Sequence, residues 1–225
     1  MQEVNKDTIL KCHELLNERS QVAWYSDYKF LMEHNGHRPG AIHLYMGVSH
    51  GGKSTLIRSL IWDALRRCPP DKKVLVWLSE ETEHDFLIEF IMAGASLPKD
   101  DLIILISKLL IHSEMKWPEF FKRGDIENKK EYMRETFSRD DINIIFYDNV
   151  TTSEFYCDIH PSEQSTFVWE LKELISNVRI LKHRGQTVKD TMYYLYFDKD
   201  KNIYHKDKKI DFNSIKEAFR QRNVL

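Results

Sequence analysis

The chain predicts an α/β fold, a mainly parallel sheet flanked by helices, and two patterns lead to that reading. Short apolar runs of strand length alternate with amphipathic stretches of helical period along most of the 225 residues, the order that a layered α/β domain requires. One of these runs, Val74 to Leu78, is apolar without interruption, as a strand covered on both faces has to be.

The elements follow in order. Residues 7–18 place Ile9, Leu10, Leu15 and Leu16 behind Asp7 as a helix cap, which reads as a short amphipathic helix. The chain therefore divides into an N-terminal arm or linker helix, residues 1–35, and one α/β domain, residues 36–225. Gly36, Pro39 and Gly40 form a turn that opens a strand from Ile42 to Met46. A helix is expected from Lys53 to Arg67: Leu56, Ile57, Leu60, Ile61 and Leu65 recur at three- and four-residue spacing, and Pro69-Pro70 ends it because proline lacks the amide donor. After the Val74–Leu78 strand, the pattern predicts a helix over 82–93 and a third strand over Leu102–Ile106. Trp117-Pro118 and the charged stretch 122–141 read as a surface connection and a helix, and Ile142 to Tyr147 as a fourth strand ending at Asp148. The spacing of Phe167, Leu171 and Leu174 predicts a helix over 162–176. Short strands are expected at Val178–Leu181, Tyr193–Phe197 and Asn202–Tyr204, and Phe212, Ile215 and Phe219 mark a final helix.

Composition narrows the class. With 33 Lys+Arg against 35 Asp+Glu, the net charge of −2 points to neither nucleic acid nor an anionic membrane. Apolar residues at 42% and charged residues at 30% are those of a globular protein. No run approaches the ~18 apolar residues of a membrane span, so no membrane partner is expected. The opening MQEVNKDTILK has no secretory pattern, and Cys12, Cys68 and Cys157 are odd in number and far apart; the expectation is a reduced cytoplasmic protein without disulfides or a metal knuckle. Charge is unevenly spread, with 12 Lys/Arg against 6 Asp/Glu from Arg179 to Leu225. That basic segment suits phosphate contacts, and equally an exposed solubilising edge. The ten histidines show no metal-ligand spacing and His43 reads as a strand residue, while Cys157 near His160 lacks the acid a nucleophilic pair needs.

Gly47, Gly52, Lys53 and Ser54 satisfy G-x-x-x-x-G-K-[ST] between an apolar strand and an amphipathic helix, the context in which such a loop binds phosphate. Glycines let the backbone wrap the anion, the helix N-terminus turns its amides and partial positive charge toward it, Lys53 reaches the β and γ phosphates, and Ser54 ligates Mg²⁺. Gly47, Val48, Ser49, His50, Gly51, Gly52, Lys53, Ser54 and Thr55 are thus the expected ATP-binding segment, with His50 a spacer. Hydrolysis also needs an acid for the metal shell and a group that handles water. Asp148, after INIIFY, fits the first role, and Glu80 or Glu81, after VLVWL, the second. Each is also an ordinary acid for a strand end or a helix start.

These segments resemble the RecA-like ATPases, and among them the hexameric replicative helicases of the bacterial and phage primase-helicase type. GAIHLYMGVSHGGKST (Gly40 to Thr55) looks like the family's first strand and Walker A, KKVLVWLSEET (Lys72 to Thr82) like its second strand with the catalytic glutamate matched by Glu80, and INIIFYDN (Ile142 to Asn149) like Walker B with Asp148 as its acid. VRILKHRG (Val178 to Gly185), followed by YYLYFD, is similar to the strand whose K-x-R pair enters the ATP site of the adjacent subunit; Lys182 and Arg184 match that pair. The resemblance implies a RecA-like P-loop NTPase fold, ATP and Mg²⁺ as cofactors, a homo-oligomer such as a hexameric ring, and single-stranded DNA as partner. An arginine supplied in trans is worth ~10³ to 10⁵ in rate; as solvated charges on an edge strand, Lys182 and Arg184 would instead discourage aggregation.

In that family a further core strand and a DNA-binding loop separate Walker B from the K-x-R strand. Only 33 residues lie between Asp148 and Lys182, and with 162–176 read as helix the strand is missing. Two functions therefore stay open: an ATP-driven DNA helicase or translocase, and a RecA-like regulatory or assembly ATPase that switches a protein partner. A nucleotide kinase would need an arginine-rich lid, and Asp101 to Asp141 is mixed in charge.

Overall fold

Helices and strands intermix up to Asp148, as the hydrophobic pattern predicts, and beyond it the described elements are all strands. The computed structural model describes residues 10, 26–33, 41–47, 52–94, 97–118, 121, 124–148, 153, 167–172, 177–183, 191–198 and 203–211. In chain order the elements are helix α1 (Lys29–Met32), strand β1 (His43–Met46), helix α2 (Lys53–Arg67), strand β2 (Lys73–Leu78), helices α3 (Glu83–Gly94) and α4 (Lys99–Ile106), strand β3 (Leu109–Ser113), helix α5 (Ile126–Phe137), and strands β4 (Ile142–Asp148), β5 (Phe167–Lys172), β6 (Asn177–His183), β7 (Thr191–Asp198) and β8 (Ile203–Asp211). The chain divides into two compact units, one of residues 1–51, 165–195 and 206–225, the other of residues 52–164 and 196–205.

Within the first unit, β1 and β5 pair in parallel from His43 opposite Phe167 to Met46 opposite Glu170, and β5 and β6 pair antiparallel. They belong to a five-stranded sheet of order β1-β5-β6-β7-β8. Tyr193 of β7 is fully buried; its hydroxyl donates to Glu33 Oε2 at 2.9 Å and its ring lies 6.1 Å from that of Phe30. The end of the expected arm, residues 29–33, is therefore tied into this unit. Of the helix expected over 7–18, only Leu10 lies within the described residues; it is helical and exposed.

The second unit is built on a parallel three-stranded sheet of order β3-β2-β4. Val74 to Leu78 on β2 are all buried, as an unbroken apolar run at the centre of a covered sheet should be. Helix α2 packs its buried Leu56, Leu60, Ile61 and Leu65 toward β2 and β4. It also stacks Trp62 on Phe90 of α3, ring centres 4.3 Å apart and 7° from parallel. Thr82 caps α3 reciprocally: the Asp85 amide donates to its hydroxyl at 3.1 Å, and that hydroxyl donates to the Asp85 carboxylate at 2.7 Å. Ile88, Ile91 and Met92 of α3 and Ile103 and Ile104 of α4 remain exposed. No helix among the described residues is long and apolar enough to cross a membrane.

Two element assignments change. The apolar run 102–106 is the helix α4, and the third strand is Leu109–Ser113. Asp100 and Asp101 occupy the first turn of α4, where the helix dipole favours them. The edge register beside β2 falls to Leu109–Ser113, with Val74 opposite Leu109 and Leu78 opposite Ser113. The helix expected over 162–176 is instead strand β5. Its apolar Phe167, Val168, Trp169 and Leu171 fit either period, aromatic and β-branched residues favour strands, and parallel pairing with β1 decides for strand. With β5 in place, an apolar strand does lie between Asp148 and Lys182, parallel to β1. The strand expected at 202–204 extends to Asp211, and the final helix marked by Phe212 lies outside the described residues.

Candidate functional site

The site is laid out by register. Leu78 of β2 pairs with Ser113 of β3 on one side and Asp148 of β4 on the other, so the three strands finish on one row. Residues just past that row, at the carboxyl ends of parallel strands, stand where open α/β sheets bind ligands. They are Ser79, Glu80 and Glu81 after β2 and Glu114 after β3.

Helix α2 begins beside this edge. Gly52, its N-cap, has φ 73° and ψ 25°, a left-handed conformation that glycine adopts without steric cost. The Leu56 amide donates to the Gly52 carbonyl at 3.0 Å, closing the first turn. Lys53, Ser54 and Thr55 follow, half-buried, at the end of the helix that carries the positive pole of its dipole.

Ser54 hydrogen-bonds the Asp148 side chain. Burial pushes the Asp148 carboxyl above its ordinary range; Ser54, Arg58 and Lys53 pull it back and Glu80 opposes them. Four residues chosen from the sequence, Lys53, Ser54, Glu80 and Asp148, therefore interact at one corner of the second unit. Glu80 is exposed at that corner.

Glu81 has a different setting. Arg58 Nη2 lies 3.1 Å from both of its oxygens, Arg58 Nη1 lies 2.8 Å from Glu89, and the Glu81 carbonyl accepts a hydrogen bond from Ser113 Oγ at 2.7 Å. Burial raises the Glu81 carboxyl and Arg58 opposes the rise. The two neighbouring acids differ in setting: Glu81 is engaged by Arg58, and Glu80 is exposed.

A second polar cluster flanks the first. Glu114 Oε1 accepts from Trp77 Nε1 at 2.7 Å and from the Tyr147 hydroxyl, and the Ser153 hydroxyl lies 3.0 Å from Glu114 Oε1 and 2.5 Å from the Tyr147 oxygen. Beyond Trp77, His112 packs among the rings of Trp77, Trp117 and Tyr132, with centres 4.1, 4.9 and 5.6 Å away. Its Nε2 is buried without a hydrogen-bond partner, and burial pushes its pKa down to about 4. The Lys129 ammonium sits 4.6 Å from the Trp117 ring centre.

The remaining predicted residues are placed as follows. Gly47 directly follows β1, and Val48, Ser49, His50 and Gly51 lie outside the described residues. Lys182 is on β6, opposite Val168 of β5. Arg184, Cys12, Cys157 and His160 lie outside the described residues, while Cys68 is buried with a free thiol. Sequence reasoning missed Arg58 and Glu114. The signal for Arg58 was a charge one turn after Ser54 on an otherwise apolar face; the signal for Glu114, an acid ending a parallel strand, was hidden by placing that strand at 102–106.

No protein-family model and no curated protein matches the chain. Fit to Mg·ATP is therefore judged on the residues. A left-handed glycine ahead of a helix N-terminus, a lysine at its first position and a hydroxyl hydrogen-bonded to a strand-end carboxylate suit a nucleotide whose phosphates supply most of the metal's oxygen ligands. Among the described residues no group of three His, Cys, Asp or Glu side chains could hold a metal.

Proposed function

We propose that this chain is a Mg·ATP-hydrolysing motor of RecA-like P-loop type, acting as a ring-forming helicase or translocase on single-stranded DNA. The observation that carries the ATPase reading is the Ser54–Asp148 hydrogen bond beside Lys53 and Glu80, at the carboxyl edge of a parallel sheet. In this reading the helix N-terminus and Lys53 bind the β and γ phosphates, Ser54 offers its oxygen to Mg²⁺, and Asp148 orients the metal's water shell. The ion, when bound, neutralises charge on the phosphate oxygens. Glu80 orients the attacking water and accepts its proton, and its exposure gives water access to it.

The motor reading draws on the resemblance of the Walker segments and on the basic stretch from Arg179 to Leu225. A strand between Asp148 and Lys182, which this reading calls for, is present as β5, parallel to β1. In the proposed oligomer Lys182 and Arg184 reach the neighbouring subunit's phosphates. A second reading, a RecA-like assembly ATPase that switches a protein partner, is favoured by the exposed apolar side chains of α3 and α4.

Turnover with and without single-stranded DNA separates the two, read beside electron micrographs of the chain with ATP. Stimulation by single strands in a six-membered ring is expected; normal basal turnover without stimulation would exclude the helicase reading. Glu80→Gln should keep nucleotide binding and lose turnover. Normal hydrolysis in that variant would remove Glu80 from the chemistry.

A further inference from the structure

Arg58 follows Ser54 by one helical turn, so the two share a face of α2. Its side chain is only 13% exposed, and each contact reaches outside its own helix. Nη2 forks across Glu81, in the turn between β2 and α3; Nη1 meets Glu89 on α3; the guanidinium carbon lies 5.7 Å from the Phe86 ring centre, also on α3. Its Nε is buried with no hydrogen-bond partner, so the two outer nitrogens and the ring fix where the group sits. The turn it grips is held at two more points: the Ser79 amide donates to the Asp148 carbonyl at 2.9 Å, and Ser113 Oγ to the Glu81 carbonyl at 2.7 Å. Glu80 lies between these anchors, within electrostatic reach of Asp148.

We propose that Arg58 is the positioning residue for Glu80: its fork on Glu81 fixes the 79–81 turn against the phosphate-binding helix, and its bond to Glu89 ties that turn to α3. The inference rests on the ATPase reading above. The planar guanidinium matters here, because its two outer nitrogens hold two carboxylates of different elements at once, Nη2 on Glu81 and Nη1 on Glu89, whereas an ammonium is a single point charge on a flexible stem. The arrangement also makes α3 part of the catalytic frame, since any shift of Glu89 or Phe86 is transmitted to the turn through one rigid group.

The test uses the full chain, reading steady-state Mg·ATP turnover beside equilibrium binding of a fluorescent ATP analogue. Arg58→Met keeps the apolar stem and removes the fork. Its kcat should fall by about 10- to 100-fold, the scale expected when a catalytic group is misplaced by an ångström, while analogue affinity and KM stay within about threefold because Lys53 and the helix N-terminus are untouched. Arg58→Lys retains the charge and should be nearly as impaired. Full rescue by lysine, wild-type kcat in Arg58→Met, or a loss confined to KM would each overturn the role. Should the Arg58 variants fail to fold by circular dichroism, Glu81→Gln carries the test: kcat should fall with affinity retained, and wild-type kcat would overturn the proposal. Absence of nucleotide binding by the unaltered chain would overturn the ATPase reading and this role together, whereas normal turnover in both the unaltered chain and Arg58→Met overturns this role alone.

Discussion

Ser54, at the start of α2, hydrogen-bonds Asp148, the last residue of β4, although the two are far apart in the chain. The bond partly offsets the desolvation of a carboxylate that burial would otherwise push toward its protonated form. Asp148 lies on the row where Leu78 and Ser113 also end their strands, and Ser54 comes to it from the first turn of α2.

Asp148→Asn should therefore lower Mg·ATP turnover by about 10²-fold or more, since it removes the negative charge that orders the metal shell. Ser54→Ala should raise the Mg²⁺ concentration needed for half-maximal turnover. Turnover titrated against Mg²⁺ checks both, and curves superimposable on the wild type would refute the assignment.

Glu114 joins three strands' ends through Trp77, Tyr147 and Ser153. Glu114→Ala leaves partly buried donors without their acceptor, at about 1–3 kcal/mol for each one stranded. A loss of about 2–4 kcal/mol is expected because Tyr147 and Ser153 can still bond each other. Glu114→Gln, which keeps an acceptor oxygen, should cost less. Urea unfolding followed by tryptophan fluorescence gives both values.

His112 is held neutral by burial, with its pKa lowered from 6.5 to about 4. Between those values the unfolded chain binds a proton that the folded chain does not. The stability linked to His112 is therefore complete above pH 6.5 and is lost as pH falls toward 4, by roughly 3 kcal/mol. Glu81 and Asp148, whose pKa values are raised, contribute in the opposite sense, so the comparison has to be with His112→Phe. That variant should lose less stability than the wild type between pH 6.5 and pH 4; parallel curves would show that His112 is not held neutral.

Gly94 ends α3 under Trp62. A β-carbon there would come within 2.4 Å of Trp62 Cζ2 and 2.6 Å of Cη2, while the indole is stacked on Phe90 and 2% exposed. Gly94→Ala should destabilise the chain by about 1–3 kcal/mol, the range for overpacking a filled core. An unchanged denaturation midpoint would mean that the indole can move aside.

Local pattern was enough for α2, β2, α3 and β4, because apolar spacing, Pro69-Pro70, the Thr82 cap and an unbroken apolar run each act within a few residues. It failed at 102–106 and 162–176, where short apolar runs satisfy either period and the decision falls to hydrogen-bonding neighbours elsewhere. β2 accepts Leu109–Ser113 beside it, and β1 pairs with Phe167–Glu170.

The candidate site divides the same way. The sequence alone determined that a glycine-rich loop ends in Lys53 and Ser54 at the head of a helix, and that acids follow two apolar strands. Only the tertiary structure decided which acids meet that helix. Charge and hydrogen-bond partnerships act over a few ångströms in space, and register set the ends of β2 and β4 side by side. As a result Asp148 met Ser54 and felt the charge of an exposed Glu80, and Arg58 took Glu81.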